Sequence, residues 1–200
     1  MFTPAEAALE RGWPGRIDGD VVVQLAAQTL QSFFSGGSKA REHAVYPLAD
    51  VVLRAPVLEP PSVRLFADAA SFAFANPAAI RSPGALIPRP DGRLDGHARL
   101  AAIVGADGEL AAWTGLVEWR APELPEPKDR DFALLLGPVA ATAPDDAFGW
   151  EAARALAARH TRLRPGDLLA GPPHETHEDV PEGQFAQPFA GLGELAALVA

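Results

Sequence analysis

The sequence predicts an α+β protein that is mostly β. Two observations carry this. Short apolar or alternating runs recur along the chain and are bounded by Gly, Asp and Pro, with 18 Gly and 20 Pro among 200 residues; such punctuation marks strands and turns. Long helices do not alternate with the strands, as a doubly wound parallel sheet would require.

The elements follow in order. Residues 16–25 read as a hairpin: Asp18-Gly19 is a favoured two-residue turn, and Val21, Val22 and Val23 are β-branched. Residues 26–34 read as a helix, with Leu30, Phe33 and Phe34 at helical spacing and Gly36-Gly37 to end it. Residues 51–57 read as a strand stopped by Pro56. Residues 66–74 fit a helix or a loop, and residues 76–92, rich in Pro and Gly, read as irregular. Residues 94–105 form the longest strand signal, and Asp107-Gly108 turns it into a second strand over 109–119. Residues 122–128 are a proline-rich loop, and 131–142 resume strand character. Residues 150–159 are the best helix, with Ala152, Ala153, Leu156 and Ala157 on one face. Residues 163–169 turn into a strand, and the last residues close as another.

Composition sets limits. Nearly half the residues are hydrophobic, so the chain can bury a core without staples. The net charge of −9 argues against nucleic acid and anionic lipid as partners. No apolar stretch approaches spanning length, and the first residues lack the pattern of a signal peptide; a cytoplasmic protein is the expectation. Without cysteine, disulfides, thiolate nucleophiles and Cys-ligated zinc are excluded.

Within residues 94–105, Asp95, His97 and Arg99 project from one face, because successive strand side chains alternate. The same stretch resembles the metal-binding strand of the fumarylacetoacetate hydrolase family. Other segments resemble that family in the same order. Pro47 to Val57 resembles the start of its catalytic domain, Ala112-Trp113-Thr114 its Gly-Tyr-Thr, and Leu136-Gly137-Pro138 its Leu-Gly-Pro. Leu163-Arg164-Pro165-Gly166-Asp167 matches its Leu-x-Pro-Gly-Asp, and Gly191-Leu192-Gly193 its closing Gly-Leu-Gly. The resemblance implies a mixed β-roll with few helices, divided into a small N-terminal hairpin-and-helix segment (1–46) and a core (47–200). It also implies a homodimer acting on small 2-oxo or β-diketo acids with magnesium, calcium or manganese.

The resemblance places the metal ligands at His97, Arg99 and Glu118. It places the water-activating His–Glu pair in residues 66–74, which contain neither residue type, with Phe72 near the expected His. The substrate lysine corresponds to Arg130. A guanidinium cannot ligate a cation, and Arg99 cannot lose its charge. The expectation is a divergent member with lost or altered metal catalysis and no cofactor. In it Arg99 pairs with Glu118, and Arg99, Glu118 and Arg130 form a site for a small anionic metabolite. Structural drift at the same positions is an equal reading. The alternative is an active hydrolase, decarboxylase or isomerase with a rebuilt site, for which His97 is the candidate base. Apart from these, His174 and His177 stand among Glu175, Glu178 and Asp179. They read as a solvated loop, or less readily as a transition-metal site. Trp113 and Trp119 share a strand face and read as core.

Overall fold

The computed structural model describes residues 1–7, 12–142 and 147–200. The N-terminal part holds β1 (Phe2–Pro4), β2 (Gly15–Asp18), β3 (Val21–Leu25), α1 (Leu30–Ser35), β4 (Glu42–Pro47) and β5 (Val51–Leu53). Strands β2, β3 and β4 make a three-stranded sheet, and β1 pairs with β5. A hairpin forms where the sequence predicts one, but its two-residue loop is Gly19-Asp20 rather than Asp18-Gly19: Asp18 ends β2 opposite Val21, and Gly19, at φ +61°, takes the first loop position that glycine favours. The helix is shorter than expected. Thr29 Oγ1 accepts from the Ser32 N–H while Ser32 Oγ accepts from the Thr29 N–H, a reciprocal cap that starts the helix at Leu30 rather than at residue 26.

Next come β6 (Val63–Asp68), β7 (Ser71–Ala75), β8 (Ile80–Arg81), β9 (Leu86–Ile87), β10 (Asp95–Val104), β11 (Leu110–Arg120) and β12 (Leu134–Ala141). After α2 (Trp150–Ala158), β13 (Leu168–His177), β14 (Gly183–Phe189) and β15 (Gly193–Val199) complete the chain. Residues 66–74 are neither helix nor loop but most of the β6–β7 hairpin. Asp68 Oδ1 makes its turn by accepting from the Ala70 N–H and the Ser71 hydroxyl. The segment over 76–92 is less irregular than its prolines imply, since β8 and β9 each pair in parallel with a later strand.

The large sheet has the order β7-β6-β13-β10-β11-β12-β8. It must curl. Laid flat, its edge strands would stand about 29 Å apart, yet only residues 76–79 join them, a reach of under about 18 Å. The inner face is therefore lined from both edges. Ala75 and Ile80 share one apolar cluster with Ala101, Ile103, Leu116, Leu134 and Leu168, closed by Leu30 and Phe34 of α1. The outer face carries two clusters. The sheet β14-β15-β9 covers one half around Trp119, Phe185 and Leu195. Helix α2 covers the other, with Trp150, Ala153 and Ala157 against Ala102, Val104 and Leu169. Trp113 and Trp119 are indeed apolar packing, but they serve different clusters.

The Pro-Gly-Asp turn anchors β13. Gly166 has φ +90°, and a Cβ there would meet Gln31 Cγ at 2.4 Å, so only glycine fits. Asp167, 2% exposed, accepts from the Ser62 hydroxyl at 2.6 Å and the Arg164 N–H at 2.7 Å. Among the described residues, no helix is long and apolar enough to cross a membrane.

Candidate functional site

Strands β10 and β11 pair antiparallel with His97 opposite Glu118 and Asp95 opposite Arg120. Alternation sends Asp95, His97 and Arg99 to the inner face, as read from the sequence. There Arg99 is 7% exposed and Glu118 1%. Arg99 Nε donates to Glu118 Oε2 at 2.9 Å, and Nη2 stands 2.7 Å from the same oxygen. The pair is thus seated on one carboxylate oxygen and is not a two-oxygen fork. Arg99 Nη1 donates to the carbonyls of Phe66 at 3.0 Å and Gly171 at 2.8 Å. One guanidinium so ties β6, β11 and β13 to β10. Burial pulls its pKa below the ordinary value while Glu118 works against that.

His97 lies at the border of this cluster, with Nδ1 4.0 Å from Glu118 Oε2. Its pKa is held below the ordinary value. Loss of solvation is the main cause, the charges of Arg99 and Arg120 add to it, and those of Glu118 and Asp95 oppose it. The imidazole is therefore neutral near pH 7. Asp95 serves the backbone instead. It accepts from Arg93 and from the Asp179 N–H, and so fixes the end of β10.

Arg130 does not touch the Arg99–Glu118 pair. It adjoins it through charge, as does Arg120. Arg120 and Arg130 both hold Asp129, which is 2% exposed. Burial alone would raise the Asp129 pKa, but the two guanidiniums hold it below the ordinary carboxylate value. On the solvent side, Arg130 Nη2 donates to Glu126 Oε1 at 2.7 Å, and the Glu126 side chain is 77% exposed. Sequence reasoning missed Arg120 and Asp129. Arg120 was within reach, since it shares the alternation of Glu118.

His174 and His177 do not lie on a loop. They are part of β13, which pairs with β10 at His97↔Thr176 and Gly96↔His177. The register shifts on either side of Arg99, which pairs with Pro173, and Ala98 resumes the ladder beyond the prolines at Glu175. His174 stands edge-on to Phe189, and His177 meets Gln187.

Nearly all of the chain matches solved structures. Maleylpyruvate hydrolase from Sphingobium sp. SYK-6 matches with a TM-score of 0.76 and 20% identity, over 96% of this chain and 97% of that one. The same enzyme in complex with manganese(II) and pyruvate gives 0.74 and 19%, over 96% and 97%. The 5-carboxymethyl-2-hydroxymuconate delta-isomerase from Mycobacterium smegmatis gives 0.72 and 17%, over 94% of each chain. This chain has the fumarylacetoacetate hydrolase fold. No protein-family model and no curated protein sequence matches it.

A divalent cation of the kind in the manganese complex is the group this fold implies. The donor set of this chain does not fit one at the positions that the sequence resemblance picks out. His97, Arg99 and Glu118 supply one imidazole, one carboxylate and a permanent cation. A cation on Glu118 Oε2 would sit against the two guanidinium nitrogens already there. Among the described residues, no group of three His, Asp or Glu could hold a metal ion. What the arrangement can do is electrostatic: it presents guanidiniums and a neutral imidazole beside a dry ion pair.

Proposed function

We propose that this protein binds a small carboxylate, of the 2-oxo acid class, without a divalent cation, on the surface formed by His97, Arg120 and Arg130. The observation that carries the reading is the buried Arg99–Glu118 pair. Arg99 uses the carboxylate that a cation would need, which leaves Arg120 and Arg130 as the positive charges beside the pair. The outward donors of Arg130 already hold one carboxylate, that of exposed Glu126. A ligand carboxylate can take that place at little cost, because an exposed ion pair is worth ~1 kcal/mol or less. Pyruvate, present in the structure of a protein of the same fold, is the natural probe.

Calorimetric titration tests this. Pyruvate binding should persist in excess chelator and weaken about tenfold in Arg130→Ala, the loss of one charge-assisted contact. Manganese should not bind at Glu118. A strict need for manganese would sink the proposal.

A second reading rests on His97. A neutral imidazole beside a carboxylate can accept a proton from water or from a ligand carbon acid. In that version the protein turns over a 2-oxo or β-diketo acid. It predicts chelator-resistant turnover that disappears in His97→Gln while pyruvate still binds. A cytoplasmic homodimer belongs to both versions, and sedimentation of the purified chain reads the oligomeric state.

A further inference from the structure

The outer face of the large sheet carries a cavity of about 510 Å³ lined from β10, β11, β13 and β14. Leu100 lines it, one residue along β10 from Arg99 and so on the opposite face. Its walls are aromatic, formed by Trp113, Phe148 and Phe189. Trp150 braces two of them, edge-on to Phe148 at 4.8 Å and to Trp113 at 6.3 Å. Among the described residues, the carboxylate lining is Glu175 alone, next to the imidazole of His174, and neither Lys nor Arg lines the cavity.

That carboxylate is held in place. Gln187 is 1% exposed. Its Nε2 donates to Glu175 Oε2 at 2.9 Å and to the Pro188 carbonyl at 3.0 Å. Its Oε1 therefore accepts, at 2.5 Å, from His177 Nε2, which must carry the proton. A buried amide with these bonds made serves to aim Glu175. His177 stands 3.8 Å from the other Glu175 oxygen.

We infer that this cavity binds a small organic cation, with a protonated amine at Glu175 and an aromatic or alkyl body among Trp113, Phe148 and Phe189. The volume lies in the range of small-molecule sites. Aromatic faces attract a cation through their quadrupole, Trp most strongly. A lone fixed carboxylate repels an anion of the same shape. The site differs in sign from the His97–Arg120–Arg130 surface and stands independently of it. Of the buried ion pair, only Arg99 reaches the cavity wall, through the Gly171 carbonyl.

The test uses two probes of matched size and opposite charge, phenethylamine and phenylacetate. Binding is read by calorimetry and by the Trp113 indole N–H in proton–nitrogen correlation spectra, assigned with Trp113→Phe. Phenethylamine should saturate and move that resonance, and phenylacetate should leave it in place. Glu175→Gln should weaken phenethylamine about tenfold. Ala190→Trp, at an exposed rim position, should block it without touching the polar network. Three results would overturn the inference: no amine binding up to about 10 mM, equal binding of phenylacetate at Trp113, or unchanged affinity in both variants.

Discussion

Replacing Arg99 with methionine keeps an unbranched apolar stem and removes the charge. It deletes hydrogen bonds to Glu118, to the Phe66 carbonyl and to the Gly171 carbonyl, together with the Nη2 contact to Glu118. Glu118, 1% exposed, keeps His97 nearby, at 4.0 Å. Breaking a buried pair by removing one partner costs about 3–5 kcal/mol. For a chain of this length that lowers the melting temperature by roughly 6–20 °C. Equilibrium urea unfolding measures the change directly, as a lower midpoint at unchanged slope. The paired change Arg99→Met with Glu118→Leu removes both charges among Leu116, Leu134 and their neighbours. It should return stability to within about 2 kcal/mol of the starting protein, because apolar replacement of a buried pair is often neutral or better. A single variant that loses less than about 1 kcal/mol, the worth of an exposed pair, would refute the reasoning: it would mean the guanidinium is solvated and β10 is out of register.

Three further outcomes follow from the same geometry. The folded-state pKa of His97 lies below the unfolded value, so the native state binds fewer protons between that lowered pKa and about 6.5. The stability this contributes is complete above about 6.5 and declines as pH falls through that window; His97→Gln should flatten this part of the pH–stability curve. The double substitution His97→Glu with Arg99→Glu places three carboxylates around one point with Glu118. Manganese should then bind with a dissociation constant below about 1 mM, tighter than to the starting protein, and a calorimetric null would contradict the site's geometry. Gly115→Ala puts a Cβ 2.6 Å from the Phe189 ring. Overpacking of this kind costs about 1–3 kcal/mol, seen as a lower urea midpoint.

Much of the fold was legible because its signals are local. The Asp-Gly pair marked the first hairpin to within one residue, since the loop is Gly19-Asp20, and the Leu-x-Pro-Gly-Asp run made a turn that requires Gly166. Residues 26–29 were misread because apolar spacing overlooked the competing cap at Thr29. Residues 172–177 were misread because prolines and charges look like a loop; β10 supplies the pairing that makes them a strand. Strand β14 passed unseen, since one of its three inward residues, Gln187, is polar, and the outward residues Ala186 and Pro188 are not.

The candidate site divides the same way. Alternation along β10 depends on backbone geometry alone, so the sequence by itself determined that Asp95, His97 and Arg99 share a face. It also determined that a guanidinium stands where the resemblance expects a cation's ligand. Tertiary structure alone decided what that guanidinium meets. Its acceptors on Phe66 and Gly171 lie 33 and 72 residues away in the chain, and they are backbone carbonyls, which every residue type carries. Periodicity can aim a side chain at a face, but only the curl of the sheet brings distant backbone to its donors.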